Sequence, residues 1–124
     1  MKLRIRGNSL RLRLDRREID RLAAGETVRE TISFGLESAL TYSVAARGQT
    51  VALTAGFDGR SIDVVMRSDL AELLVSTDMV SVDAHQAVAA GGSLLIVVEK
   101  DFACLAPRDG EDSVHAYENP RAVC

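Results

Sequence analysis

Five cations alternate with aliphatic residues over the first fourteen positions of the chain. They are Lys2, Arg4, Arg6, Arg11 and Arg13. A guanidinium group binds a carboxylate or a phosphate through two parallel hydrogen bonds, so a cluster of this kind suits an anionic small molecule, for example a phosphorylated one. We therefore predict these five residues as a ligand-binding site for an anion.

A β-hairpin must position these cations. A two-residue turn at Gly7-Asn8 places Leu3 opposite Leu12 and Arg4 opposite Arg11, so apolar residues meet on one face and cations meet on the other. Like charges directly opposite each other destabilise a hairpin by a few tenths of a kcal/mol to about 1 kcal/mol per pair. The cationic face therefore needs an anion, from a ligand or from the chain itself.

The uneven distribution of charge is compatible with both sources of the anion. Residues 1–30 contain nine Lys/Arg and five Asp/Glu, whereas residues 31–124 contain six and thirteen, and the net charge is -3. An anion-binding patch and an attraction between the two parts of the chain both explain this distribution. In the second case the C-terminal tail folds back over the arginine face through Asp109, Glu111, Asp112 and Glu118.

A second group of reactive side chains lies near the C-terminus, but its spacing matches no zinc template. The group consists of Asp101, Cys104, Asp109, Glu111, Asp112 and His115. As a nucleophile, Cys104 would need His85 or His115 beside it, and no motif provides that pairing. We predict no metal, no cofactor and no catalytic residue. We expect Cys104 to be a small, buried hydrophobic residue at the end of a strand.

Turn and cap signals predict the remaining elements. Asp15 and Glu18 form a capping box for a helix over residues 16–24. Asp58-Gly59 predicts a second hairpin, with Ala55 opposite Ile62 and Leu53 opposite Val64. A second helix is predicted after Ser68 or Asp69, with an apolar face of Leu70, Leu73 and Leu74, and the apolar run at residues 94–100 predicts a central strand.

The predicted elements repeat in the order strand, strand, helix, strand, strand. This order occurs over residues 1–45 and again over 50–100, which predicts an α+β, mainly β fold of two ββαββ units. We expect an antiparallel barrel or two packed sheets, with about eight strands and two short helices. Residues 1–105 are predicted to form a single domain, and residues 106–124 an irregular acidic tail that packs on it.

Two end motifs carry a resemblance over nearly the whole chain. The first is residues 2–14 and the second is residues 99–105 (EKDFACL), followed by Pro107-Arg108, Glu111-Asp112 and Asn119-Pro120. Together they resemble a family of small uncharacterised bacterial proteins, a domain-of-unknown-function family. The resemblance implies a bacterial, cytoplasmic setting and assigns no activity.

A shorter stretch is similar to a different class of protein. Residues 66–74 followed by Asp78-Met79-Val80 have the strand–helix–strand rhythm of cradle-loop barrel proteins, including bacterial transition-state regulators. Those proteins have one fewer strand per repeat and usually carry Gly where this chain has Thr77. The similarity implies a fold and no function.

Composition restricts the functional classes that fit. The chain is acidic overall and has few aromatic residues, which argues against nucleic acid as a partner. It has neither a signal peptide nor an apolar run near the roughly 18 residues of a membrane helix, so we expect a cytoplasmic protein that does not enter a membrane. We predict a non-enzymatic binding or interaction module that forms a homodimer. The alternative is an enzyme or sensor that binds a phosphorylated small molecule through the hairpin arginines.

Overall fold

The computed structural model describes residues 1–103 and 117–118, and the fold of this part is α+β and mainly β, as predicted. Eight strands form its two main sheets: β1 (Lys2–Ile5), β2 (Ser9–Leu14), β3 (Val28–Ser33), β4 (Ala39–Arg47), β5 (Leu53–Phe57), β6 (Ser61–Arg67), β7 (Ser81–Ala87) and β8 (Ser93–Lys100). The α-helices of the described part are α1 (Arg16–Ala23) and α2 (Ser68–Ser76). Two further strands of two residues each, β9 (Phe102–Ala103) and β10 (Tyr117–Glu118), pair in parallel.

The first helix forms where its capping box is predicted. The Asp15 carboxylate accepts a hydrogen bond from the Glu18 amide at 2.9 Å, and the Glu18 carboxylate accepts one from the Asp15 amide at 3.0 Å. These two contacts satisfy amides that a helix N-terminus otherwise leaves unpaired. The apolar side of α1 is fully buried at Ile19 and Leu22.

The described strands form two four-stranded sheets, with the strand orders β1-β2-β8-β7 and β3-β4-β6-β5. Of the two predicted arrangements, the structure has the two packed sheets. Pairing within each hairpin is antiparallel, as predicted, but the central pairs β2–β8 and β4–β6 are parallel. The reason is directional: each of these four strands is the second strand of its hairpin, and all four run away from the hairpin turns. Second strands that meet at the centre of a sheet therefore point the same way.

The two ββαββ segments exchange hairpins between the sheets. Each contributes one hairpin to each sheet, because the helix carries the chain across from one sheet to the other. In the first hairpin and the helix of each segment, equivalent positions lie 52 residues apart, as for Leu22 and Leu74, which are both fully buried. In the last hairpin of each segment, β3–β4 or β7–β8, they lie 54 residues apart, and the pair Val28–Val44 corresponds to the pair Val82–Val98. That the segments 1–45 and 50–100 are copies of one ancestral unit stays a prediction.

The hairpin β5–β6 has a different register from the one predicted at Asp58-Gly59. Ala55 pairs with Val64 and Leu53 pairs with Met66, so the two-residue turn is Gly59-Arg60 rather than Asp58-Gly59. The Asp58 carboxylate fixes this turn because it accepts hydrogen bonds from the amides of Arg60 and Ser61 at 2.8 and 2.7 Å. Gly59 occupies the left-handed region with φ +96°, which glycine adopts without steric cost.

The hydrophobic core lies between the two sheets and is closed at one end by the helices. Fully buried core residues come from both sheets and both helices: Leu12, Leu14, Ile19, Leu22, Val44, Val64, Met66, Leu74, Ile96 and Val98. The helices α1 and α2 contact each other at this end, and all four hairpin turns lie at the opposite end. Neither of these two short helices has the length and apolar character needed to cross a membrane.

Candidate functional site

The first hairpin forms in the predicted register and directs its cations outward. Lys2 pairs with Arg13, Leu3 with Leu12, and Arg4 with Arg11. Leu12 is 1% exposed, so the apolar face of the hairpin faces the core, and the alternation of side chains places the cations on the outer face of the sheet. We call the residues Lys2, Arg4, Arg6, Arg11 and Arg13 the cationic face.

One acid from the neighbouring strand neutralises the β2 part of the cationic face. Strand β8 runs beside β2 and places Glu99 opposite Arg13. The Glu99 carboxylate lies 2.5 Å from Arg13 Nε and 3.3 Å from Arg11 Nη1. Its side chain is only 13% exposed, so the two arginines and the sheet shield it from water.

The β1 part of the cationic face is neutralised only at its start. Lys2 Nζ lies 3.0 Å from the carboxylate of Asp101. Among the side chains that the structure describes, those of residues 1–102 and Tyr117, no carboxylate lies within ion-pair distance of Arg4 or Arg6. The structure therefore brings three of the five predicted residues into internal ion pairs and leaves these two arginines exposed.

Most of the predicted tail contacts fall outside the described residues. This applies to Asp109, Glu111 and Asp112, and also to Cys104 and His115 of the second candidate group. Glu118 lies in the described strand β10, whose backbone pairs with β9, while Tyr117 packs against Phe102 and over Lys100 Nζ. Binding of an anion to the cationic face and contact of the tail with it both stay predictions.

We expect Glu99→Gln to lower the free energy of unfolding by about 1 kcal/mol at low salt, because Arg11 and Arg13 both lose their partner. Raising the ionic strength to about 0.5 M should reduce this loss in the free energy of unfolding, since salt screens the repulsion among the remaining cations. Urea unfolding at the two salt concentrations measures both effects. The control is Glu26→Gln at the exposed Arg21–Glu26 pair, 3.6 Å apart, where we expect a change within about 0.5 kcal/mol. A loss at Glu99→Gln no larger than at this control would contradict the shielding of Glu99.

The open end of the molecule contains an apolar cavity of about 550 Å³. Its lining comes from the Gly7-Asn8 turn and from strands of both sheets. The lining residues are Ile5, Gly7, Asn8, Ser9, Leu10, Leu40, Ala55, Gly56, Phe57, Ile62, Gln86 and Leu94. This volume is within the range of small-molecule sites in proteins.

The polar side chains of the cavity are already engaged with nearby backbone. Ser9 Oγ donates to the carbonyl of Arg6 at 2.6 Å, and Asn8 Nδ2 donates to the carbonyl of Ser93 at 2.8 Å. The Gln86 side-chain amide exchanges two hydrogen bonds with the backbone of Ala55, at 2.8 and 2.9 Å. The cavity therefore presents mainly aliphatic and aromatic surface to a ligand.

Large apolar side chains are also exposed around this end. Ile5 is 60% exposed and Phe57 67%, and both belong to the cavity lining. Phe34 and Leu36, near the turn between β3 and β4, are exposed as well. Sequence reasoning missed the cavity, although Ile5 and Phe57 gave a signal: both continue the apolar face of a hairpin close to its turn, where the opposite sheet no longer covers it.

The two sheets are joined on one side and separate on the other. Strand β5 contacts β7 on the joined side, where the two Gln86–Ala55 hydrogen bonds link the sheet edges. The equivalent positions on the other side are Ile32 and Leu3, whose apolar side chains form no such link, and the strands β1 and β3 approach each other far less. We call this gap between β1 and β3 the seam.

A polar cluster links the two sides of the seam at the helix end. The Met1 α-ammonium group lies 2.6 Å from the Glu18 carboxylate and 3.3 Å from that of Glu30. Burial lowers its pKa, but Glu18 and Glu30 outweigh burial and the net shift is upward. The Tyr42 hydroxyl donates to Glu30 at 2.8 Å, and burial together with this bond raises the pKa of Tyr42 to about 12.

Fold and site together define a small, mainly β protein with two packed sheets, an apolar open end and a cationic edge strand. The chain belongs to the family of unknown function DUF7009, whose model matches residues 1–121. This confirms the resemblance to an uncharacterised domain family. No match was found among curated proteins or among solved structures.

Proposed function

We propose that this chain is a small cytoplasmic, non-enzymatic binding module whose ligand enters the apolar cavity at the open end. The observation that carries the proposal is the cavity of about 550 Å³ between the hairpin turns. The helices fill the opposite end with buried side chains such as Leu22 and Leu74, so the open end is where a small molecule reaches the space between the sheets.

The chemistry of the lining favours binding over reaction. Among the described lining residues, Ser9 carries the one hydroxyl, which donates to the Arg6 carbonyl, and the remaining side chains are apolar or amide groups. None of these described residues is an acid or a base that could transfer a proton. The ligand that fits is therefore recognised by shape and by burial of its own apolar surface, which contributes about 25 cal/mol per Å².

Two arginines close in sequence to lining residues favour an amphiphilic anion. Arg6 directly precedes the lining residue Gly7, and Arg60 lies two residues before the lining residue Ile62. The acid closest to Arg60 in sequence, Asp58, is engaged in its own turn through two backbone amides. An aliphatic or aromatic carboxylate or sulfonate would place its apolar part in the cavity and its acidic group near these guanidinium groups.

Binding of two probes tests the proposal. We expect anilinonaphthalene sulfonate to bind with enhanced fluorescence and dodecanoate to displace it. Phe57→Ala should weaken both about tenfold, because Phe57 lines the cavity and its loss removes roughly 1–2 kcal/mol of apolar contact. Since Phe57 is 67% exposed, this variant should keep the melting temperature of the parent.

The matched control is Phe34→Ala. Phe34 is exposed to the same extent, at 69%, and lies near another turn of the same end, but it is not among the lining residues. We expect no change in probe affinity for this variant. Absence of probe binding, or equal losses in both variants, would refute the cavity as the binding site.

A thermal stability assay tests the alternative function, an enzyme or sensor for phosphorylated small molecules. Thermal stabilisation by tripolyphosphate that disappears in Arg4→Ala and Arg6→Ala would favour that alternative over the cavity.

The homodimer is a separate part of the proposal, and the exposed apolar residues at the open end support it. Light scattering behind a sizing column measures the mass directly.

A further inference from the structure

Among the described residues, no strand pairs with the outer side of β1. Strand β1 is the edge of its sheet, with β2 as its neighbour on one side. The Arg6 amide donates to the Ser9 carbonyl across the turn. Because bonded and non-bonded pairs alternate along an antiparallel ladder, the amides of Leu3 and Ile5 point away from β2. They point towards the seam.

We propose that the edge of β1 is a docking site for an extended segment of a partner protein, in which acidic residues alternate with apolar ones. The segment adds a fifth strand to the sheet and pairs with the backbone of Leu3 and Ile5. Backbone pairing of this kind gives affinity, and the alternating side chains give specificity.

The acidic side of the segment follows from the unneutralised cations. On β2, Arg11 and Arg13 are neutralised from the neighbouring strand β8 by Glu99. On β1, Arg4 and Arg6 have no acid within ion-pair distance among the described residues. An acidic residue on a strand beside β1 would form ion pairs with these arginines, as Glu99 on β8 does with the arginines of β2.

The apolar side of the segment follows from the inner face of β1. Leu3 is half-buried and packs against the core, whereas Ile5, two residues further towards the turn, is 60% exposed. Across the seam, Ile32 is 43% exposed. An apolar residue of the added strand would lie between these two isoleucines and cover surface that the sheets leave open.

The equivalent edge on the joined side does not accept such a strand. Ala55 of β5 corresponds to Leu3 of β1, and its amide and carbonyl are both bonded to the Gln86 side chain. The availability of backbone groups therefore distinguishes β1 from the strand that corresponds to it. This comparison makes the docking site specific to the seam.

Hydrogen exchange with a pair of designed peptides tests the proposal on the full chain. The first is an eight-residue peptide that alternates Glu and Val, and the second has Lys in place of Glu. We expect the acidic peptide to slow exchange of the Leu3 and Ile5 amides at least tenfold and the basic peptide to leave them unchanged. Binding should weaken with rising salt, since charge attraction contributes to it.

A charge-reversed variant, Arg4→Glu with Arg6→Glu, tests the chemistry of the partner. Both side chains are exposed and no carboxylate of the described part lies within ion-pair distance of them, so the variant should fold. We expect it to lose the acidic peptide and to bind the basic one. Phe57→Ala should leave peptide binding unchanged, so a failed cavity and a failed docking site give different results.

Four outcomes would overturn the proposal. The first is protection of Arg29 and Thr31 in β3 instead of the β1 amides, and the second is unchanged peptide preference in the charge-reversed variant. The third is protection of Leu3 and Ile5 without peptide that increases with protein concentration, which would assign the edge to a second copy of this chain. The fourth is self-association of an Arg4→Ala, Arg6→Ala variant that binds the acidic peptide as tightly as the parent does, since the arginines would then serve only to prevent edge pairing.

Discussion

Leu74→Ala should lower the free energy of unfolding by about 2–5 kcal/mol, and Leu73→Ala by less than about 1 kcal/mol. Leu74 is completely buried where α2 packs against α1, so truncation leaves a cavity in the end of the core. Leu73 is 37% exposed, so its truncation removes little buried surface. Urea unfolding of the two variants, with equal m-values as the check on two-state behaviour, gives the difference directly.

This pair of variants determines how α2 is rotated about its axis. The two residues are adjacent and chemically identical, and each serves as the control for the other. A rotation of α2 by one residue, about 100°, would bury Leu73 in place of Ala71 and Leu74. Equal losses in both variants, or a larger loss at Leu73, would contradict the burial of Leu74 against the core.

The sequence correctly predicted which face of α1 is buried, but not which face of α2 is buried. In α1 the buried Ile19 and Leu22 stand among charged residues, so the apolar stripe is unambiguous. In α2 the apolar residues Leu70, Leu73, Leu74 and Val75 surround more than half of the helix. The structure buries Ala71 and Leu74 completely. A small residue gives a weak signal of burial, although a close contact between two helices requires one.

The registers of the two hairpins show how far turn signals suffice. In the first hairpin, Gly7 and Asn8 are the residues typical of a turn, and the pairing that they predict is confirmed. In the hairpin β5–β6, turns at Asp58-Gly59 and at Gly59-Arg60 give registers that differ by two residues. A slip of two residues keeps every side chain on the same face, so alternation does not distinguish them. The Asp58 carboxylate decides, through its bonds to the turn amides.

The candidate site could be predicted only in part for a similar reason. The outward direction of the cations follows from alternation within the first fourteen residues. Their neutralisation by Glu99 depends on the parallel contact of β2 with β8, and 86 residues separate Arg13 from Glu99 in the chain. Local patterns carry no information on that contact. The cavity, likewise, requires the spacing between two sheets, which no single strand determines.

The second large effect is expected at Gln86. Gln86→Ala removes both hydrogen bonds to the Ala55 backbone and leaves a half-buried amide and carbonyl without partners. Each unpaired group costs about 1–3 kcal/mol when water does not replace the bond, and the open cavity admits some water. We therefore expect a loss of about 2–3 kcal/mol in the free energy of unfolding. His85→Ala, an exposed neighbour on the outer face of β7, should change it by less than about 0.5 kcal/mol.

Gln86→Glu separates the hydrogen bonds from the packing of the side chain. The ionised carboxylate still accepts from the Ala55 amide but repels the Ala55 carbonyl, to which the glutamine donates. A protonated carboxyl restores both bonds, so the fold favours the protonated form and raises the pKa of this Glu above its usual value of about 4.3. The stabilisation is then fully present below about pH 4 and is lost as the pH rises through the raised pKa. Urea unfolding at pH 4 and pH 7 should show the variant close to the parent at the lower pH and weakened at the higher one. A gap that is equal at both values would mean that the sheets are joined by packing around residue 86 and not by its two hydrogen bonds.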